Sequence, residues 1–168
     1  MIADHNNKLI IVISSPSGAG KTSVCHKLIE KDQSIGLSIS DTTRPPRDNE
    51  KNGLDYNFID EIEFKKKINN NLYIEYAYVF ENYYGSPRKN ISDHFDNGRD
   101  ILFDIDWQGA AKLRSSSFSN ILSIFIIPPS KKTIYERLKM RAKKSGDDEL
   151  AIEKRMKQFE TEMTHKDD

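Results

Sequence analysis

A β-branched run that stops at a glycine-rich turn and restarts as a helix constrains this chain more than any other feature. Leu9-Ile10-Ile11-Val12-Ile13 is continuous and apolar, as expected of a strand buried on both faces. Ser14-Ser15-Pro16-Ser17-Gly18-Ala19-Gly20 follows, and the residues from Lys21 to Lys31 read as a helix. Strand, turn and helix in that order are the setting of a phosphate loop. A triphosphate needs several backbone N–H groups aimed inward, with a helix N-terminus behind them. Gly18 and Gly20 let the backbone curl without a Cβ in the way, Lys21 can reach the β- and γ-phosphates of a nucleotide, and the Thr22 hydroxyl can ligate Mg²⁺. The Walker pattern asks for glycine where this chain has Ser15; serine is strained there if the position needs a positive φ.

The alternation continues. Residues 101–105 and 121–127 read as second and third buried strands, Tyr56-Asn57-Phe58 and residues 73–78 as further strands, and Ser38-Ile39-Ser40 as a short extended piece. Asp60 caps a helix over Glu61–Asn69, and Tyr84-Gly85-Ser86-Pro87 turns the chain into a helix over residues 89–95. Ser130 caps a helix to about Ala142, a polar break spans residues 145–149, and a last helix runs to about Met163. Buried strands alternating with helices predict an α/β fold with a parallel sheet. Residues 37–90, richer in Tyr, Asn and short strands, read as an insertion beside that sheet.

Composition narrows the partners. The 168 residues suit one domain, with 36% hydrophobic and 31% charged residues. Lys plus Arg and Asp plus Glu both total 26, which suggests neither a nucleic-acid binder nor an acidic tail. Residues 131–157 nonetheless hold ten basic residues against five acidic ones, a local excess that suits a partner with several negative charges. Cys25 is the single cysteine, so no disulfide framework exists and a packing role is expected of it. Trp107, Met140, Met156 and Met163 read as packing contacts, and His5, His26, His94 and His165 have no metal spacing. The first eight residues are too polar for a signal peptide, and no apolar run reaches membrane-spanning length. The expected compartment is the cytoplasm, with no membrane partner.

Ser15-Pro16-Ser17-Gly18-Ala19-Gly20-Lys21-Thr22 resembles the P-loop of guanylate kinases, and further blocks of that family follow in order. They are Thr42-Thr43-Arg44-Pro45-Pro46-Arg47, Gly53-Leu54-Asp55-Tyr56-Asn57-Phe58, Tyr73-Ile74-Glu75, Asn82-Tyr83-Tyr84-Gly85-Ser86 and Asp104-Ile105-Asp106-Trp107-Gln108-Gly109. Pro128-Pro129-Ser130, Arg137-Leu138 with Arg141, and Lys154-Arg155 complete the set. The resemblance implies a P-loop NTPase core over residues 1–36 and 91–130, a mixed α/β GMP-binding insertion over 37–90 and a helical lid over 131–157. Residues 158–168 then return to the core. The family usually continues through another strand, an Asn-Asp element near the adenine and a C-terminal helix, so either the enzyme is truncated after Asp168 or the sequence omits that end, and the adenine contacts stay open.

By the same resemblance Glu75 accepts hydrogen bonds from guanine N1–H and N2–H₂, Ser40 and Ser86 donate to O6, and Asp104 assists at the base. Arg44, Arg47, Tyr56 and Tyr84 clamp the GMP phosphate. Lys21, Arg44, Arg137, Arg141, Arg155 and Mg²⁺ offset charge during transfer from ATP, and Asp106 anchors the metal's water shell or a lid arginine. Asp106 could equally cap the helix that starts at Trp107. Lys21 is expected to touch only phosphates, and the lid to be mobile without nucleotide because its charges repel. Two other readings are a catalytically inactive guanylate-kinase-like protein-binding module and a kinase for another acceptor such as a ribosyl bisphosphate. The presence of Lys21, Arg137 and Arg141 speaks against the first, and Glu75 with Ser40 against the second. Oligomeric state is left open.

Overall fold

The computed structural model describes residues 8–145 and 149–168. Four parallel strands form the central sheet: β1 (Ile10–Ser14), β2 (Ile35–Leu37), β7 (Asp100–Asp104) and β8 (Ile121–Phe125), in the order β2-β7-β1-β8. Helix α1 (Lys21–Lys31) carries the chain from β1 to β2 on one side, and α4 (Trp107–Arg114) carries it from β7 to β8 on the other. The carboxyl ends of β1 and β7 are therefore a switch point, where open α/β sheets bind ligands.

The alternating faces of β1 and β7 make two cores. Ile10, Val12, Ile101 and Phe103 pack with Ile91 and Phe95 of α3 (Lys89–Asp96) and with Ala110 and Leu113 of α4. Ile11, Ile13 and Leu102 face Cys25 of α1 on the opposite side. Burying each large side chain contributes about 1.5–3 kcal/mol. Cys25 is fully buried, and burial pushes its thiol up to about 12.

A second sheet, in the order β4-β3-β6-β5, is built from β3 (Asp41–Thr42), β4 (Asn57–Phe58), β5 (Tyr73–Val79) and β6 (Asn82–Pro87). Helix α2 (Glu61–Asn69) covers it, started by the Asp60 carboxylate accepting from Glu63 N–H. Phe64 of α2 stacks between Tyr73 and Tyr83, with ring centroids 4.6 and 5.2 Å away. Beneath lies Asp41, fully buried and accepting from Asn57 Nδ2 (2.8 Å), Lys67 Nζ (2.8 Å) and Tyr73 Oη (2.7 Å). One carboxylate thus ties β3, β4, α2 and β5 together.

The last helices, α5 (Lys131–Ser145) and α6 (Glu149–Met163), pack on each other and on the phosphate loop. Ile134, Leu138 and Ile152 are buried with Ala19, and Met156 and Phe159 pack against them. An apolar seam thus underlies the arm formed by α5 and α6, beneath the charges counted along it. Ser130 Oγ accepts from Thr133 N–H at the start of α5, and a 3₁₀ turn (Thr164–Asp167) follows α6. Most of the polar break expected at residues 145–149 lies outside the described residues.

Four expectations about the fold are corrected. Ile35–Leu37 is a strand of the central sheet, whereas Ser38-Ile39-Ser40 beyond it is irregular. Tyr84-Gly85-Ser86-Pro87 belongs to β6 and is no turn: it pairs antiparallel with β5, Ser86 opposite Glu75. β8 is an edge strand whose Leu122 and Ile124 are exposed, so its apolar run does not mark two-sided burial. Met140, expected to pack, is also exposed. No helix among the described residues is long and apolar enough to cross a membrane.

Candidate active site

A cavity of about 820 Å³ opens at the carboxyl ends of β1 and β7, between the phosphate loop, the second sheet and the arm. Ser15, Pro16, Ser17, Gly18, Ala19, Gly20, Lys21 and Thr22 wall one side. Gly18 and Gly20 have φ of 85° and 98°, the left-handed region that only glycine occupies at little cost. Ser15 is not among the residues with positive φ, so serine carries no backbone strain there. Arg137 Nη1 donates to the Ala19 carbonyl (2.7 Å), which lays the arm's first arginine across the loop. Arg141 and Arg155 line the same cavity.

Lys21 does not face phosphates alone. Its ammonium meets the Asp104 carboxylate at the end of β7. Burial alone would lower the Lys21 pKa, but the partner reverses this and raises it, so the side chain is charged. Asp106 lines the cavity and caps α4, its Oδ1 accepting from Gly109 N–H at 2.8 Å. Thr22, Asp104 and Asp106 supply the oxygen donors that Mg²⁺ prefers. Among the described residues no group of three or more His, Cys, Asp or Glu could hold a metal unaided. That donor set suits an ion bound largely through substrate phosphates.

The facing wall is built from side chains. Glu75 is buried, and its Oε1 accepts from Ser86 Oγ at 2.6 Å; Ser86 lies 3.2 Å from Ser40 Oγ. Ser40 and Glu75 line the cavity, whereas Ser86 sits behind Glu75 and orients it. Desolvation pushes the Glu75 carboxyl up to about 7, with Asp106 adding to the rise and Ser86 opposing it. Gly109 is what admits this carboxylate: a Cβ there would lie 2.7 Å from Glu75 Oε2.

Arg44 and Arg47 converge on Glu50. Arg44 donates through both Nη atoms (2.8 and 2.9 Å) and Arg47 through Nη1 (2.9 Å) and its backbone N–H (2.8 Å). Burial works against the Glu50 charge, yet these donors hold its pKa below the usual value. Arg44 also lies 5.5 Å from the centroid of the Tyr56 ring, which stands edge-on to Tyr84 at 6.1 Å. Burial raises the Tyr56 phenol to about 12, so it stays a donor.

Glu50 and Glu162 escaped the sequence reading. An acid three residues after Arg47 was the available signal for Glu50. None existed for Glu162, whose Oε2 accepts from Ser17 N–H (3.1 Å) across 145 residues of chain. Burial raises the Glu162 pKa, Asp106 adds to this and the Ser17 N–H counters it. His165, given no role, stacks on Trp107 at 3.7 Å between ring centroids.

The guanylate kinase family model matches residues 7–168. The chain belongs to the guanylate kinase family. It is 45% identical over 160 residues to the guanylate kinase of Rickettsia bellii, spanning 95% of this chain and 82% of that protein. The guanylate kinase of Nitrobacter winogradskyi is 45% identical over 157 residues, 94% of this chain and 70% of its own length. The crystal structure of guanylate kinase from Anaplasma phagocytophilum superposes with a TM-score of 0.73 at 40% identity, covering 95% of this chain and 72% of that one.

Proposed function

We propose that this chain catalyses Mg²⁺-dependent transfer of the ATP γ-phosphoryl group to GMP, giving ADP and GDP. The observation that carries the reading is that a phosphate loop and a buried carboxylate–hydroxyl set face each other across one cavity. The loop's N–H groups and Lys21 receive the donor phosphates. Glu75, when ionised, accepts from guanine N1–H and N2–H₂, while Ser40 can donate to O6. Ser86 acts through Glu75. Adenine would set a lone pair against Glu75 and leave a buried charge unpaired, which favours guanine by about 10⁴-fold.

Arg44 and Arg47, with the Tyr56 and Tyr84 phenols, clamp the acceptor phosphate, whose attacking oxygen is already anionic; no general base is needed. Arg137, Arg141 and Arg155 spread along the arm and neutralise charge between donor and acceptor. Thr22, with Asp104 and Asp106 nearby, would hold Mg²⁺ bound through the substrate phosphates, and the ion would supply charge neutralisation there. The arm closes over both nucleotides and excludes water, a competing acceptor. The reaction belongs to purine nucleotide metabolism in the cytoplasm, with ATP and GMP as partners.

The test is coupled ADP release across GMP, AMP, CMP and UMP at equal concentration. GMP is expected to sustain turnover, with the other three lower by at least two orders of magnitude. Comparable rates with AMP would overturn the guanine reading. GMP binding without ADP release would point to the inactive binding module, which no feature of the cavity favours.

A further inference from the structure

The hairpin between β5 and β6 closes with two residues, because Val79 pairs with Asn82. Both loop residues, Phe80 and Glu81, have positive φ, at 49° and 63°. Paired positive φ angles define a type I′ turn, whose usual occupants are Asn and Gly. A bulky aromatic and a long acid are costly there. Such strain persists only where surrounding structure over-determines it, and an outlier of this kind invites a search for what it holds.

Both side chains reach the arm. Phe80 lines the cavity, and the Arg155 guanidinium lies over its ring, 5.3 Å from the centroid. Glu81 Oε1 accepts from Lys154 Nζ at 2.9 Å. Adjacent residues of α6 thus meet adjacent residues of the hairpin tip. The same two strands carry Glu75, Tyr84 and Ser86. At its other end α6 meets the phosphate loop through Glu162 and Ser17 N–H. Arg155 and Glu162 are seven residues apart, two helical turns, and share one face of α6.

We propose that Phe80 is a positioning residue for phosphoryl transfer: its ring holds the Arg155 guanidinium at the cleft, and the Glu81–Lys154 pair clips that turn of α6 to the acceptor hairpin. The proposal rests on the reading of Arg155 as a charge-neutralising group in the transfer. A guanidinium tethered only by its flexible stem must be ordered at each turnover. One already resting on an aromatic face loses less freedom when the phosphates arrive. Because the face is offered by the acceptor sheet, Arg155 is placed against the same wall that would receive GMP.

The experiment combines steady-state kinetics with calorimetric titration of GMP on the full chain carrying Phe80→Ala, Phe80→Leu, Phe80→Tyr, Arg155→Ala and Phe80→Ala/Arg155→Ala. Phe80→Ala and Phe80→Leu are expected to lower kcat about five- to tenfold, between the sizes of an exposed and a desolvated cation–π contact because both residues are half-buried, while Phe80→Tyr keeps kcat within about twofold. The Kd for GMP stays within about twofold throughout, and the double variant is no slower than Arg155→Ala, the signature of two residues acting as one unit. Glu81→Gly is expected to raise the melting temperature by relieving the backbone, and to slow turnover modestly. Wild-type kcat in Phe80→Ala beside a slow Arg155→Ala would overturn the positioning role alone. Wild-type kcat in Arg155→Ala would overturn the underlying reading of that arginine as well. Loss of kcat in Phe80→Tyr equal to that in Phe80→Ala, or additive losses in the double variant, would also sink it.

Discussion

The two walls of the cleft are made by different means. The donor wall is backbone: a loop held by two glycines at positive φ, with N–H groups as its recognition surface and Lys21, paired with Asp104, as the cation the loop itself carries. The acceptor wall is side chain, organised by three carboxylates that each gather donors: Asp41 beneath the sheet, Glu50 between two arginines and Glu75 with Ser86. A backbone wall cannot titrate and barely changes with sequence once its glycines are in place. A carboxylate wall is preorganised but exposed to protonation and to any substitution that moves a partner. Selectivity and pH response therefore belong to the acceptor side, and the rate of transfer belongs to both.

The sharpest way to break this contrast is Glu75→Gln. The amide can accept only one of guanine's two N–H groups and sets its own NH₂ against the other. Preference for GMP over AMP is expected to fall by about 10⁴-fold, with the Kd for ATP unchanged. Retention of the preference, read from kcat/KM for each nucleotide, would remove Glu75 as the base reader.

On the opposite wall, Lys21→Ala is expected to lower kcat by about 10³-fold. It also leaves the Asp104 carboxylate without its cation, destabilising the fold by about 3 kcal/mol. The expectation that Lys21 touches phosphates alone is corrected on this point. Adding Asp104→Asn should restore the denaturation midpoint but not the turnover; recovery of both would show that Lys21 serves the fold only.

Gly109→Ala tests how finely the acceptor wall is set. Its Cβ would overlap Glu75 Oε2, and a displacement of about 1 Å costs about 10²-fold in kcat/KM for GMP. An unchanged value would mean that Glu75 has slack.

The smallest expected effect is a pH slope. With its carboxyl raised to about 7, Glu75 is protonated below that pH, and its O–H then opposes a guanine N–H. KM for GMP is expected to rise about tenfold per pH unit below 7, while KM for ATP stays flat. Stability runs the other way. The folded pKa exceeds the ordinary 4.5, so the native state holds the extra proton between those values. This group therefore makes the free protein more stable as pH falls from 7 towards 4.5. Urea midpoints of the wild type minus Glu75→Gln should show that slope, and a slope of the opposite sign would refute the burial argument.

How much of this could be read beforehand follows the same division. Local patterns sufficed for α1, for α2 with its Asp60 cap, and for the loop between β1 and α1, because hydrogen bonds a few residues apart fix them. β2 is three residues long and exists because β7 offers it an edge, which no window around Ile35–Leu37 can reveal. β6 carries turn residues, Tyr-Gly-Ser-Pro, that β5 overrides by pairing with them. The continuous apolar run of β8 reads as buried, yet periodicity does not say which strand ends at an edge. Family motifs named the phosphate loop, the two clamp arginines and Glu75, but not Glu50, Phe80 or Glu162, which also line the cavity. They did not foresee that Ser86 stands behind Glu75, that Lys21 rests on Asp104, or that Glu162 reaches the phosphate loop, since those facts depend on distant contacts.

Cys25 gives the molecule an internal clock. Thiols react as thiolates, and one with no exposed surface and a pKa near 12 stays inert for as long as the helix behind the phosphate loop remains seated. Alkylation of this single sulfur therefore counts openings of the core. Where reclosing outruns the reagent, its rate reports the free energy of opening directly. Because α1 begins at Lys21, any nucleotide gripping the loop must suppress those openings in proportion to its occupancy, slowing the reaction by about one plus the ratio of ligand concentration to Kd. A mass spectrometer and an unmodified chain are then enough to rank nucleotides by how firmly they hold the enzyme shut.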